Sequence, residues 1–132
     1  MPPDISVIIP SYNQPPSFVT ACFESICMQQ GVDYEIIFVD GASGPETLAA
    51  AEPYRARCSH FISQRDEGQA DAINKGLRLA RGNLVTWLNT DDFYLPEAFA
   101  HMAAAFKKNP AAPFYMGLGY RTDITGAQRT PF

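Results

Sequence analysis

The sequence predicts an α/β protein whose central sheet is mainly parallel and flanked by helices. Short runs rich in β-branched residues alternate along the chain with segments whose apolar residues recur at helical spacing. The β-rich runs are apolar along most of their length, which is typical of strands buried on both faces of a parallel sheet. Because parallel strands need long connections, we expect the helical segments between them to form right-handed crossovers.

Four β-rich runs are predicted to be the strands of this sheet. They are Ile5 to Pro10, Glu35 to Asp40, His60 to Gln64 and Leu84 to Leu88. A further strand is expected at Phe114 to Gly117. A hairpin turn should follow it at Asp123 to Gly126, because Asp and Gly are typical turn residues.

Four helical segments are predicted between and after the strands. The first and third are indicated by apolar stripes, which are Phe18, Val19, Cys22, Phe23 and Ile26 in the first and Ala70, Ile73, Leu77 and Ala80 in the third. Arg81 and Gly82 close the third helix, as a cation and a glycine commonly do. The second, Glu46 to Arg57, is weaker because Pro53 interrupts it. The fourth has Pro96 in its first turn.

Composition limits the classes of function. With 132 residues, of which 46% are hydrophobic, the chain suits a single globular domain. Its net charge of −4 argues against a nucleic-acid partner, because that binding mode depends on Lys and Arg neutralising phosphates. Apolar runs are too short to span a membrane and no signal-type segment begins the chain, so we expect a cytoplasmic protein, at most peripheral to the inner membrane face. The three cysteines lack zinc-site or disulfide-framework spacing and are expected to be reduced.

Polar residues follow each predicted strand at its carboxyl end, which is where parallel α/β sheets bind ligands. They are Ser11, Tyr12 and Asn13 after the first strand, Asp40 and Gly41 at the second, Arg65 and Asp66 after the third, and Asn89, Asp91 and Asp92 after the fourth. Because these ends meet at one edge of the sheet, they predict a hydrogen-bonding cleft able to hold a cation. A merely solvated edge is the alternative, since loops are polar in any α/β protein.

Several of these residues suit the recognition of a nucleotide. Tyr12 offers a ring that can lie against a base, and Arg65 offers a planar cation to a base edge or a phosphate. Arg65 can instead form an exposed ion pair with a neighbouring carboxylate. Asp40 can accept hydrogen bonds from a base or a ribose, or belong to an ordinary Asp-Gly turn. Asp71 is a further candidate because it lies near the start of the third helix, beside the strand ends.

The adjacent carboxylates of Asp91 and Asp92 predict a site for a hard cation. Mg²⁺ and Mn²⁺ prefer carboxylate oxygens, and Mg²⁺ takes one or two protein carboxylates while phosphates and waters complete its shell. Taken alone, the two aspartates could equally terminate the strand. The segment Ser11 to Pro16 supplies no Gly-rich phosphate loop, which argues against a dinucleotide oxidoreductase, a P-loop enzyme or a nucleotidyltransferase.

At these positions the chain resembles a family 2 glycosyltransferase. The resemblance is carried by five segments in matching order and spacing, and it spans Ile5 to about Asn109, which is most of the chain. They are VIIPSYN at Val7 to Asn13, VDGAS at Val39 to Ser43, DEGQADAINKG at Asp66 to Gly76, the pair Arg81 and Gly82, and WLNTDDFYLP at Trp87 to Pro96.

The resemblance implies a GT-A fold, a Rossmann-like sandwich that binds a nucleoside diphosphate sugar, commonly a UDP-sugar, with Mn²⁺ or Mg²⁺. It places Pro10, Ser11, Tyr12 and Asn13 along the nucleoside, Asp40 on the uracil, and Arg65 and Asp66 beside the base. Asp91 and Asp92 would be the equivalent of the family's DXD motif, with Asp92 on the metal and Asp91 approaching the ribose. The implied chemistry is inverting transfer, in which an acceptor hydroxyl deprotonated by a carboxylate displaces the nucleotide.

Two departures from the family pattern shape the hypotheses. Ala42 replaces the second glycine of the family's Asp-Gly-Gly-Ser turn. The family's catalytic domains are also longer, so we expect the acceptor half and the general base to lie beyond Phe132. The chain is then either the donor-binding half of a glycosyltransferase with a saccharide or lipid-linked acceptor, or a non-catalytic nucleotide-binding module. Apolar surface left uncovered would permit self-association around Phe114, Tyr115, Met116 and Phe132.

Overall fold

A computed structural model describes residues 1–131 and confirms the predicted alternation of strands and helices. The strands are β1 (Ile5–Ser11), β2 (Tyr34–Asp40), β3 (His60–Ser63), β4 (Leu84–Trp87), β5 (Tyr120–Thr122) and β6 (Arg129–Pro131). The helices are α1 (Pro16–Cys27), α2 (Pro45–Ala51), α3 (Gln69–Leu79) and α4 (Ala98–Lys108). A 3₁₀ helix, Glu52–Arg57, continues from α2, because Pro53 interrupts the longer helix predicted there.

The main sheet has the strand order β3-β2-β1-β4, and its strands run parallel. β1 and β2 lie at its centre and are buried on both faces, apart from the half-buried Tyr34. The chain winds outward from β1 to β3 and then crosses back, so that β4 pairs with the other side of β1. The strand order therefore reverses beside β1, and the carboxyl ends of β1 and β4 flank the crevice where such sheets bind ligands.

Apolar layers cover the two faces of the sheet. Ile5, Val7 and Ile9 of β1 lie in the layer that also contains Phe23 of α1, while Ile8 lies in the layer under α3. This alternation follows from the two-residue period of a strand. α3 approaches its face so closely that a Cβ atom on Gly76 would lie 2.5 Å from Cγ2 of Ile8. The tight contact fixes the position of α3, whose first turn borders the carboxyl edge of the sheet.

A buried carboxylate, Glu35, holds the opposite edge of the sheet together. Its side chain is 5% exposed and accepts hydrogen bonds from the hydroxyl of Ser6 (2.6 Å), the backbone N–H of Arg81 (2.8 Å) and the hydroxyl of Ser59 (3.1 Å). The Arg81 guanidinium also donates to it at 3.0 Å. Arg81, the first residue of the pair predicted to close this helix, therefore ties the end of α3 to β2. Gly82 follows with a hydrogen bond from its N–H to Ser6 Oγ (2.8 Å).

The strand predicted at Phe114 to Gly117 is wrong. The structure has no strand there and instead pairs β5 with β6, antiparallel, across the turn that was predicted at Asp123 to Gly126. Tyr115 is held by local contacts in place of a sheet partner, since its hydroxyl donates to the carbonyl of Asn109 and its ring packs edge-on against Phe106. The turn itself is confirmed, with Gly126 at a φ of +76°.

The fourth helix begins two residues later than predicted. Pro96 precedes α4, and Glu97 adopts the left-handed conformation with a φ of 68°, so the helix starts at Ala98. The prediction that Pro96 lies in the first turn of this helix is therefore wrong, because the left-handed backbone of Glu97 separates Pro96 from the start of the helix at Ala98.

Of the surface predicted for self-association, Phe114 and Met116 are exposed at 74% and 89%, Tyr115 is half-buried, and Phe132 lies outside the described residues. Self-association there remains a prediction. Within residues 1–131, the helices are too short or too polar for any of them to cross a membrane.

Candidate functional site

A cleft of about 660 Å³ opens at the carboxyl edge of the sheet, beside the reversal of the strand order. Of the predicted site residues, seven line it, namely Pro10, Ser11, Tyr12, Gly41, Arg65, Asp66 and Asp91. Four others lie outside its lining, namely Asn13, Asp40, Asp71 and Asp92. The structure thus brings residues from the ends of all four parallel strands to one concave surface.

The end of β1 supplies the floor of the cleft. Ser11 is 6% exposed, and its hydroxyl oxygen is buried without a hydrogen-bond partner among residues 1–131. Buried hydroxyls are normally paired, so an orphaned one lining a cleft indicates a group that a ligand can satisfy. Tyr12 follows with its side chain 64% exposed, so its ring is available to a planar ligand.

Asp40 supports the loop after β2 from beneath. It is fully buried, and its carboxylate accepts hydrogen bonds from the Ser43 N–H (2.7 Å), the Ser43 hydroxyl (2.5 Å) and the Ser63 hydroxyl (2.8 Å). In this conformation Asp40 therefore organises the loop and does not face the cleft. Ala42, which replaces the family's glycine, takes a φ of 63°. That left-handed conformation favours glycine, and the Asp40 contacts on either side of the loop hold it in place.

Asn13 has a similar supporting place. Its N–H donates to the Ser43 hydroxyl, and its side-chain oxygen accepts from the N–H of Gly44, each at 2.8 Å. Asn13 itself has a positive φ of 49°. The β1 and β2 loops are therefore tied to each other, and Tyr12 is held between Asn13 and the buried Ser11.

Gly41 and Asp66 form the wall of the cleft beside β3. A Cβ atom at Gly41 would lie 3.0 Å from Oδ2 of Asp66, so the absence of a side chain lets the Asp66 carboxylate lie over the loop. Asp66 also accepts a hydrogen bond from the N–H of Gly68 (3.0 Å). Arg65 is exposed and, among residues 1–131, forms no ion pair within 4.0 Å, so the alternative of an ion pair with a neighbouring carboxylate does not hold.

Asp71 is displaced from the cleft by a role in its own helix. Its carboxylate accepts a hydrogen bond from the N–H of Glu67 (3.0 Å) and pairs with Lys75 at 3.3 Å. The hydrogen bond from the Glu67 N–H and, to a smaller extent, the pairing with Lys75 lower the pKa of Asp71. Asp71 lies near the start of α3, as predicted, but its carboxylate pairs with the backbone just before the helix and with Lys75.

The acidic pair follows β4 on a tight turn in which the N–H of Asp92 donates to the carbonyl of Asn89 (2.9 Å). Asp91 is exposed to the cleft, and Asp92 lies beside it. Partial burial of the Asp92 carboxyl group, followed by repulsion from Asp91, raises the pKa of Asp92. A cation would relieve this repulsion, so the pair suits a metal chemically.

The number of acidic groups also bears on the kind of metal site. Among residues 1–131 there is no cluster of three or more His, Cys, Asp or Glu side chains that could hold an ion alone. A pair of carboxylates nevertheless fits Mg²⁺ or Mn²⁺ when substrate phosphates and waters supply the remaining ligands. The donor set therefore fits a metal that binds together with a phosphorylated ligand.

Asn89, which was predicted from its place after the fourth strand, also lines the cleft. Residues not predicted from the sequence complete it, namely Gln14, Gly68, Gln69, Ala72 and Thr90. The side-chain nitrogen of Gln69 donates to Oδ1 of Asn89 at 2.5 Å, which joins the first turn of α3 to the acidic turn. The sequence did offer one indication of a role for Gln69, because this residue immediately follows Gly68, the N-cap of α3. Without the fold, the contact between Gln69 and a residue twenty positions later could not be foreseen.

A parallel α/β sheet with a polar cleft at its strand-order reversal and an acidic pair on the cleft's rim defines an α/β domain of the class that binds ligands at the carboxyl edge of its sheet. Residues 6–130 match the family described as Glycosyl transferase family 2, and the chain belongs to that family. The predicted family resemblance is thereby confirmed.

The similar proteins include a curated relative and solved structures. A PGL/p-HBAD biosynthesis glycosyltransferase of Mycobacterium bovis is 35% identical over 106 residues, which cover 77% of this chain and 41% of the relative. A structure of S. aureus TarS 1–349 in complex with UDP-GlcNAc matches with a TM-score of 0.72 and 26% identity, covering 81% of this chain and 32% of that one.

A third similar protein is the mannosyltransferase PcManGT from Pyrobaculum calidifontis in complex with GDP-Man and Mn²⁺. It matches with a TM-score of 0.66 and 28% identity, covering 86% of this chain and 34% of that one. These matches confirm the predicted GT-A fold. The chain spans less than half the length of the relatives it matches.

Proposed function

We propose that residues 1–132 form the donor-binding domain of a glycosyltransferase that transfers a sugar from a nucleoside diphosphate sugar, with uridine diphosphate as the carrier. The observation that carries this proposal is the buried hydroxyl of Ser11, which has no hydrogen-bond partner among residues 1–131, in the same cleft as the Asp91 carboxylate. The lining of the cleft thus contains both an unsatisfied hydrogen-bonding group and negative charge. That combination suits a ligand with a polar base at one end and a cation-bound diphosphate at the other.

The nucleoside end is assigned to the loops after β1, β2 and β3. In the proposal the exposed Tyr12 ring lies against the base, and Ser11 and Pro10 border the nucleoside. Arg65 and Asp66 lie by the base edge, where an unpaired guanidinium and a carboxylate can recognise donors and acceptors on a pyrimidine. Asp40 acts on the uracil only after a rearrangement of its serine contacts, and otherwise through the loop it supports.

The diphosphate end is assigned to the acidic turn. Asp92 and Asp91 would hold Mn²⁺ or Mg²⁺, with Asp91 also facing the ribose, and the fit is supported by the adjacency of the two carboxylates beside the cleft and by the raised pKa of Asp92. A bound metal would supply charge stabilisation to the diphosphate leaving group. The structure of the mannosyltransferase relative in complex with GDP-Man and Mn²⁺ supports this assignment.

The proposed reaction is an inverting transfer. The acceptor oxygen, on a saccharide or a lipid-linked saccharide, forms a bond to the anomeric carbon as the bond from that carbon to the diphosphate breaks, and the acceptor proton passes to a carboxylate base. As the family resemblance implies, the proposal places this base beyond Phe132.

Calorimetric titration of the chain with UDP, with and without Mn²⁺, tests the proposal. ADP and GDP serve as controls for the base. We expect UDP to bind with higher affinity when Mn²⁺ is present and in preference to both controls. Equal affinity for the three nucleotides, or UDP binding that Mn²⁺ leaves unchanged, would overturn the assignment of the carrier or of the metal respectively.

The metal assignment is tested by Asp92→Ala. We expect this substitution to abolish the enhancement of UDP binding by Mn²⁺ while the fold survives, because the removed side chain is on the surface and leaves no core cavity. Asp33→Ala is the matched control, since Asp33 is exposed at the start of β2, at the opposite edge of the sheet. Unchanged UDP affinity of Asp92→Ala in Mn²⁺ would show that Asp92 is not a ligand.

A further inference from the structure

A buried polar row along α1 and just beyond its end supports the acidic turn. Ser25 lies on the side of α1 that faces the core and is 5% exposed, and Gln29, two residues after the end of α1, is 7% exposed. Cys22 precedes Ser25 by one helical turn and is fully buried. Their neighbours on this side of α1 are apolar, so three polar or weakly polar groups among them need partners.

Each member of the row hydrogen-bonds to the backbone of the segment that carries the acidic pair. The Cys22 thiol donates to the carbonyl of Asn89 at 3.7 Å. Ser25 Oγ accepts from the N–H of Tyr94 at 3.0 Å. These contacts lie on either side of Asp91 and Asp92, so both ends of the acidic turn are fastened to α1.

Gln29 makes the most extensive contacts with this segment. Its side-chain nitrogen donates to the carbonyls of Leu95 (2.9 Å) and Ser25 (3.0 Å), and its side-chain oxygen accepts from the N–H of Phe99 (3.0 Å). The two attachments bracket Glu97, whose left-handed backbone is costly for a residue other than glycine. Gln29 therefore holds the strained connection between the acidic turn and α4.

We propose that Gln29, assisted by Ser25, is a positioning residue that sets the affinity of the Asp91–Asp92 site for its divalent cation without touching metal or nucleotide. The inference rests on the proposed function. Metal affinity depends on ligand placement that is fixed by contacts behind the ligands themselves. Before the acidic pair, the segment is tied to β1 through the N–H of Leu88 and the carbonyl of Ile8. After the pair, Ser25 and Gln29 tie the backbone of the segment, and the Tyr94 hydroxyl is hydrogen-bonded to Thr86 of β4 (2.9 Å). Removing the Gln29 contacts therefore loosens that side of the turn.

The test compares Gln29→Met with Gln30→Met in the 132-residue chain. Methionine keeps the approximate shape of glutamine but removes its hydrogen bonds, and Gln30 is the exposed neighbour in which the same change breaks no loop contact. Mn²⁺ affinity in the presence of UDP is measured by electron paramagnetic resonance. Binding of uridine without metal is measured by calorimetry, and thermal unfolding shows whether each variant is folded.

We expect Gln29→Met to weaken Mn²⁺ binding about tenfold, with uridine affinity unchanged and Gln30→Met like the parent chain. The uridine measurement separates positioning from a general structural role, because the nucleoside end is built from other loops. Unchanged Mn²⁺ affinity, or equal losses for Mn²⁺ and uridine, would overturn the inference.

Ser25→Ala provides a second test if Gln29→Met does not fold. It removes the acceptor for the Tyr94 N–H and leaves Gln29 in place, so we expect a smaller loss of Mn²⁺ affinity in the same direction. No loss would overturn the inference. If the parent chain itself shows no Mn²⁺-enhanced UDP binding, the proposed function fails together with the inference. If the parent chain shows Mn²⁺-enhanced UDP binding and the variants bind Mn²⁺ as tightly as the parent, only the inference is overturned.

Discussion

Replacing Ser11 with alanine should stabilise the ligand-free chain and weaken its binding to the nucleotide. The hydroxyl of Ser11 is buried and lacks a partner among residues 1–131. A buried polar group without a hydrogen bond costs about 1–3 kcal/mol. Alanine removes that cost and leaves a void the size of one oxygen atom, so the net gain in the free energy of unfolding should be about 1 kcal/mol.

The effect on binding has the opposite sign. In the proposed complex the nucleoside supplies the missing hydrogen bond of Ser11. A neutral hydrogen bond contributes about 0.5–1.5 kcal/mol net. Since about 1.4 kcal/mol corresponds to a factor of ten in affinity, we expect Ser11→Ala to bind UDP about 2- to 12-fold more weakly. A side chain that lowers the stability of the ligand-free chain and raises its affinity for the ligand is typical of a binding site.

Urea unfolding gives the change in stability, and calorimetry with UDP and Mn²⁺ gives the change in affinity. Ser43→Ala is the matched control, because its hydroxyl donates to Asp40 and accepts from the N–H of Asn13, and its loss should destabilise the chain. The reasoning would be refuted if Ser11→Ala lost stability as Ser43→Ala does, or if it bound UDP with the parent's affinity.

Two further predictions concern the frame around the site. Glu35→Gln should lower the free energy of unfolding at pH 7 by about 1–2 kcal/mol. Burial raises the pKa of Glu35, but hydrogen bonds from Ser6, Arg81 and Ser59 together outweigh it, so its pKa in the folded chain lies below its usual value. The contribution of the carboxylate is therefore fully present above the unfolded pKa and is lost as the pH falls through the folded pKa, where the variant and parent should converge. Gly76→Ala should cost about 1–3 kcal/mol in urea unfolding, because its Cβ atom would overlap Ile8, and a gain in stability would contradict this packing.

The parallel sheet was predictable because its strands are buried on both faces. Such strands read as continuous apolar runs, and the runs of β1 and β2 are buried along their length. Prediction from residue type alone failed where the formation of a strand depends on a partner strand. Phe114 to Gly117 is as apolar as a strand, but the hairpin forms at Tyr120–Thr122 and Arg129–Pro131, flanking the turn at a distance that lets the two strands pair.

The edge of the sheet that carries the site was predictable for a geometric reason, since parallel strands all end on one side. Which carboxylates face the cleft was not predictable. Asp40 and Asp91 both follow apolar strands, yet Asp40 is fully buried because Ser43 and Ser63 surround it. Ser63 comes from the neighbouring strand, twenty-three residues along the chain, so its contact depends on the strand order.

The contacts that support the acidic turn involve residues outside the sequence motifs of the site. The contacts from Gln29 to Leu95 and Phe99 join residues 66 and 70 positions apart, and no local pattern specifies them. A trace remains in α1, where Ser25 lies within a face that is otherwise apolar. A polar residue at such a position must find partners in the core. The Ser25 hydroxyl donates to the carbonyl of Cys22 in its own helix and accepts from the N–H of Tyr94 in the segment after β4, which turns sharply and begins its helix late. This polar interruption in the apolar stripe of α1 therefore marks a contact with the loop that carries the acidic pair.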